Sequence, residues 1–277
     1  MFETFSELFS YSFITRALIV GTLVALCAAL LGVSLVLKRY SMIGDGLSHV
    51  GFGALSVSLA LGLAPLQVSL PVVTLTAFLL LRLSERSVIK GDAAIALISS
   101  SAIAVGVVVV SLTTGMNVDV YNYMFGSILA MSESDVILSV GVSVVVLVLY
   151  LLFYNKIFAV TFDENFARAT GIKAGRYNML IALLTALVIV VGMRMMGALL
   201  ISSLIIFPAL TSMRVFKSFR GVVISSAILS VVCFFIGILI SFVGSVPVGA
   251  AIVLINLGAF FAFSMLKLVL KRRRAAA

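Results

Sequence analysis

In a chain of 277 residues, 63% are hydrophobic and only 10% are charged, which leaves too few polar side chains to cover a soluble globule of this length. The composition excludes a water-soluble enzyme or binding module and indicates a polytopic membrane protein. The formal charge of +9 does not call for nucleic acid, because Lys and Arg gather at the ends of membrane helices and no basic stripe interleaved with aromatics occurs.

Apolar stretches of about 20 residues, enough to cross a bilayer, recur along the chain. They predict an all-α transmembrane bundle with spans near 14–37, 47–63, 65–83, 92–114, 133–158, 178–196, 197–213, 221–243 and 248–270. Eight spans plus a re-entrant piece is the other way to count. The first stretch is too long for a signal-peptide core and lacks a small-x-small cleavage site, so it reads as a retained helix. Cys27 and Cys233 lie in apolar helical runs without metal-site or CxxC spacing, which predicts core packing.

Between the first two spans comes Ser41-Met42-Ile43-Gly44-Asp45-Gly46-Leu47-Ser48-His49, which holds the only histidine of the chain. If residues 45 to 49 are helical, Asp45 and His49 lie on one face a turn apart, and a carboxylate oxygen and an imidazole nitrogen can converge on one cation. Ionisable side chains at membrane depth are costly and mark substrate or ion pathways. A buried Asp–His hydrogen bond that orients a helix is the alternative reading of the same pair.

Cations alternate from loop to loop. Lys38 and Arg39, then Arg82, Arg86 and Lys90, then Lys156, Arg168, Lys173 and Arg176, then Arg214, Lys217 and Arg220, then 271–274 fall on one side. The opposite loops carry Asp119, Glu133 and Asp135, with Arg194 as their cation. The positive-inside rule puts the basic loops in the cytoplasm, with the N-terminus outside and the C-terminus inside. Two places read as broken. The run 121–131 is apolar but too short to span, and the sixth and seventh segments are interrupted around 193–197 and again at Pro208, as tolerated where a helix lines a cavity.

The longest polar stretch, about 155–178, predicts a short cytoplasmic helix. Thr161 or Asp163 can cap it, Asp163 and Glu164 sit in its first turn, and Gly171 suits its exit. Phe162, Phe166 and Ala169 share a face, with Ala167 and Arg168 between, the layout of an element that docks into a protein groove. A helix lying on the lipid surface is the other reading. No Walker A loop is present, so primary pumping would need another subunit's ATPase, and no nucleophile-elbow sequence supports a hydrolase.

The run from Leu35 to His49 resembles the signature of the membrane permeases of bacterial zinc and manganese ABC importers. Lys90-Gly91-Asp92-Ala93-Ala94-Ile95 with Ser99 and Ser100, the Phe162-Asp163-Glu164 to Gly171 loop, and Gly197 to Ser202 with Pro208-Ala209 are similar to further blocks of that family in the same order. Tyr40 stands where the family commonly has glycine, and Gly51-Phe52-Gly53 replaces its usual leucine-proline-glycine.

The resemblance implies the type II, cobalamin-permease-like fold and one permease domain over residues 1–277, in a bacterial cytoplasmic membrane. It implies a homodimer with two cytoplasmic ABC ATPases and an extracytoplasmic metal-binding protein. It implies Asp45 and His49 as metal-contacting residues, and Phe162, Asp163, Glu164, Phe166, Ala167 and Gly171 as the ATPase-coupling segment. Zn²⁺ or Mn²⁺ would be the transported substrate, not a resident cofactor. Imidazole plus carboxylate suits zinc and manganese favours more oxygen, so the pair alone does not decide. Zinc is put ahead because the motif 199–203 resembles the zinc branch of the family. A proton-coupled secondary transporter relaying through Asp45 and His49, or a permease for an organic ligand, are the competing readings.

Overall fold

The computed structural model describes residues 12–86, 91–113, 126, 132–198 and 200–275. The elements in chain order are α1 (Ser12–Leu37), α2 (Met42–Ala60), α3 (Pro65–Arg86), α4 (Gly91–Leu112), α5 (Glu133–Leu152), α6 (Tyr154–Phe162), α7 (Glu164–Ala169), α8 (Ala174–Met196), α9 (Ile201–Val215), α10 (Phe219–Gly244) and α11 (Val248–Ala275). Among the described residues, nine long helices match the nine expected segments, and two short ones, α6 and α7, lie between α5 and α8. The apolar run 121–131 lies outside the described residues apart from Gly126.

Seven of the long helices are long and apolar enough to cross a membrane; α2 and α9 are not among them. The reasons differ. Four glycines, three serines, Asp45 and His49 dilute the apolar character of α2, which is tolerable because α2 is sheltered against α3, α4 and α8. The apolar α9 has only 15 residues, about 22 Å at 1.5 Å per residue.

α1 and α8 are the most buried spans and form the centre of the bundle. α1 touches α5, α8, α9 and α10, and α8 touches α1, α2, α3 and α5. α4, α5 and α11 present mostly exposed apolar faces, as expected of elements bordering lipid or another protein. Both cysteines are buried within this core.

Polar contacts fix which helix ends lie together. At one end, Arg16 of α1 pairs with Glu133 of α5, so the side expected to be extracytoplasmic holds a second cation beyond Arg194. At the other end, Lys38 after α1 meets Glu164 of α7 and Asn178 of α8. α5 begins with a capping box in which the Ser132 hydroxyl accepts from the Asp135 amide while the Asp135 carboxylate accepts from the Ser132 amide.

Several expected boundaries shift. The expected span 133–158 ends at Leu152, where Phe153 breaks it before α6. The second span starts at Met42, five residues before its expected start at 47, and this places Asp45 inside the helix. The break after Met196 is present, with Gly197 at φ 86°, a conformation that only glycine adopts without strain. Pro208 makes no break and sits within continuous α9.

Candidate metal site

The site is built on α2. One turn separates Asp45 from His49, and His49 Nε2 lies 3.5 Å from Asp45 Oδ2. The helix dedicates its other faces to close packing. A Cβ on Gly46 would meet Ile95 of α4, and one on Gly53 would fall 2.6 Å from the Ala102 carbonyl oxygen. These two glycines let α2 and α4 run close together. Gly51, which stands where the usual run after the histidine has leucine, makes room for Met193 of α8.

Asp45 lies three residues beyond Met42 and His49 seven, about 4.5 Å and 10 Å along the helix axis. The His49 side chain is 14% exposed and that of Asp45 35%. The imidazole is therefore largely enclosed, while the carboxylate keeps an open side. The Ser48 hydroxyl is turned back onto the Asp45 carbonyl at 2.7 Å and does not enter the site.

A third group comes from far along the sequence. Ser202 of α9 donates to Asp45 Oδ1 at 3.5 Å. It stands in the first turn of α9, after the Gly197 break, and Gly44 lies against it and against Ile205. The interruption thus delivers a hydroxyl to the carboxylate. Ser202 belongs to the late apolar block already noted in the sequence, and its placement beside a break that lines a site is the signal that singles it out.

Among the described residues no three His, Cys, Asp or Glu side chains gather into a metal-binding group. The chain therefore offers a carboxylate, an imidazole and a hydroxyl here, two ligands of ordinary metal-binding strength and one weak one. Met193 and Met196, which could have supplied soft sulfur ligands, are packed in the core at 0% and 2% exposure.

The segment between α5 and α8 is separate from this site. Asp163 caps α7 by accepting from the Phe166 amide at 2.9 Å, and Gly171, at φ 85°, makes the exit. Ala167 is buried against Val160 and Ala174, whereas Phe162 and Phe166 are 78% and 66% exposed. Glu164 turns inward: its Oε2 accepts from Lys38 and Asn178, each at 3.1 Å, and its Oε1 accepts from Arg168. Burial alone would raise the Glu164 carboxyl, but the Asn178 and Lys38 hydrogen bonds, the Lys38 charge and Arg168 hold it below the usual carboxylate range. The residues expected in coupling thus divide into two exposed aromatics and a set that fastens the segment to the bundle.

Residues 10–267 match the ABC 3 transport family. The chain is 30% identical over 251 residues to the manganese transport system membrane protein MntC of Halalkalibacterium halodurans, covering 91% of this chain and 86% of that one. It is 29% identical over 259 residues to the high-affinity zinc uptake system membrane protein ZnuB of Haemophilus influenzae, covering 93% and 97%. The solved PsaBC from Streptococcus pneumoniae in complex with Fab superposes with a TM-score of 0.85 at 28% identity, over 95% of both chains. With the motifs in family order and the match running almost end to end, the chain belongs to the ABC 3 transport family.

Proposed function

We propose that this chain is the membrane permease subunit of an ATP-driven importer for a divalent transition metal, with zinc as its first substrate. The observation that carries the proposal is the convergence of Asp45, His49 and Ser202 on a partly open site inside an apolar bundle. A carboxylate and an imidazole suit Zn²⁺, and incomplete coordination suits an ion that must pass. Manganese is the second reading. The name of the Halalkalibacterium relative favours it, and so does the Ser202 hydroxyl, which raises the oxygen share of the site.

Completion of the site is assigned to a second copy of the chain. A carboxylate with a third of its surface open does not face lipid at low cost, and two copies would bring four strong ligands to a shared axis. In this reading Phe162 and Phe166 meet a cytoplasmic ABC ATPase, and an extracytoplasmic binding protein delivers the metal to a complex in a bacterial cytoplasmic membrane. The chain itself supplies no ATPase site.

The test is metal uptake, read by elemental analysis, in cells whose only metal importer contains this chain. Asp45→Asn and His49→Ala each abolish uptake of the true substrate while leaving the protein in the membrane; normal uptake in either variant sinks the site. Zinc and manganese offered in competition identify the metal. Uptake that persists when the ATPase is inactivated turns the reading to a proton-coupled transporter.

A further inference from the structure

The site and the exposed aromatics are joined by a feature that the charge pattern alone reads as a topology signal. Lys38 follows the last turn of α1 and with Arg39 reads as a positive-inside signal, yet its side chain is only 8% exposed. Its Nζ donates to three acceptors on three elements: the Val160 carbonyl of α6 at 3.1 Å, Glu164 Oε2 of α7 at 3.1 Å and Asn178 Oδ1 of α8 at 2.7 Å. All three donors of the ammonium are thereby used. Asn178 closes the ring by donating to the same Glu164 oxygen. Merely marking the cytoplasmic side requires no such burial, since an exposed lysine does that at no desolvation cost.

The other end of Lys38 is equally constrained. The elbow between α1 and α2 is four residues long. The Tyr40 amide donates to Leu35 and the Arg39 amide to Val36, which is the double closure of a Schellman motif. Arg39 occupies its left-handed position at φ 61°, where glycine is the unstrained choice. The Ile43 amide then donates to the Tyr40 carbonyl, so α2 starts directly from the elbow. Lys38, Tyr40 and Ile43 line one small cavity against Leu81, Asn178 and Ile181, which sets the elbow directly beside α8.

We propose that Lys38 is a positioning residue that ties the α6–α7 segment to the metal-bearing helix α2, so that movement of the segment is passed through the elbow to Asp45. The connection is short and continuous. It runs from Glu164 to Lys38 by an ion pair, from Lys38 to Met42 through the closed elbow, and from Met42 to Asp45 along one helical turn. The proposal rests on the ABC-importer reading above and assigns a route within it.

The experiment uses the whole transport complex, purified through a tagged permease and reconstituted in proteoliposomes with its binding protein, zinc or manganese chloride and Mg-ATP. The quantity read is metal imported per ATP hydrolysed. Lys38→Met lowers that ratio about tenfold, within the range by which substitutions along a coupled path change coupling. Because Lys38→Met takes from Glu164 its buried cation and leaves it only Arg168 and Asn178, Lys38→Met with Glu164→Gln is made in parallel. The neutral pair keeps the protein in the membrane and shows the same low ratio. An unchanged ratio in both variants overturns the proposal, as does a parallel fall of import and hydrolysis, the mark of a merely structural lysine. Failure of both variants to reach the membrane overturns it too. A wild-type complex without ATP-dependent metal import would instead remove the function reading itself.

Discussion

Asp45 and Ser202 stand 157 positions apart in sequence, yet the Ser202 hydroxyl donates to Asp45 Oδ1 across 3.5 Å, joining α2 to α9 at the candidate metal site. The contact orients a carboxylate that, in the proposed function, also serves a passing ion, and it depends on α9 starting within the bundle after the Gly197 break.

Ser202→Ala removes this donor without opening a large cavity. At a long distance the loss is about 1 kcal/mol, roughly fivefold in apparent metal affinity. Initial uptake rates over a range of metal concentrations check it: the half-saturating concentration rises while the maximal rate holds. Unchanged half-saturation would mean that Asp45 is oriented without Ser202.

The second prediction concerns α1 and α9. A Cβ on Gly32 would fall 1.9 Å from the Ile205 carbonyl oxygen, so Gly32→Ala must push the two helices apart. Overpacking against backbone costs about 3 kcal/mol, the upper end of the usual range. Thermal unfolding in detergent reads this as a clear drop in midpoint, and uptake falls with it because Ser202 rides on α9. Gly141→Ala is the control, since a Cβ there meets no described atom within 4 Å.

Phe162 and Phe166 carry the third. If both seat in an ATPase groove, Phe162→Ser with Phe166→Ser removes anchors worth on the order of 2 kcal/mol each, or roughly 30-fold in affinity apiece. Co-purification of the ATPase falls, while metal affinity at Asp45 and His49 stays. A double variant that still retains its ATPase and imports metal leaves a lipid-surface helix as the better account of the segment.

The fourth is a pH dependence at Glu164. Its folded-state carboxyl lies below the ordinary 4.5, so the stabilisation it gives is complete above pH 4.5 and is lost as pH falls through the lower folded value. The chain has no tryptophan, and Phe162→Trp therefore installs a single reporter on the segment. Its fluorescence stays flat from neutrality to about pH 4.5 and changes below. Glu164→Gln abolishes the change; a transition that survives this substitution belongs to another group.

What the sequence made legible follows from distance along the chain. Asp45 and His49 lie one turn apart, so helical periodicity alone pairs them, and the Asp163 cap and Gly171 exit are equally local. The end of α5 was hidden because Leu151-Leu152-Phe153 continues the apolar run without a polar residue or glycine, and only packing shows the turn. Pro208 misled in the opposite sense, since the surrounding bundle tolerates the backbone acceptor that a proline leaves unpaired. The Lys38 contacts span 122, 126 and 140 residues, and no local pattern marks a lysine that is buried by a distant segment.

The place of Asp45 in the first turn of α2 bears on how long an ion can stay. The start of a helix carries about half a positive charge from its aligned peptide dipoles, and this repels a cation held by the carboxylate. If Asp45 serves as the proposed ligand, the same end of the helix that fixes it also shallows the well in which a metal would rest. A storage or catalytic site would gain from the deepest well available. A passage site gains from one that the ion can leave within a turnover, and a carboxylate set on a repelling helix end gives that balance without any further residue.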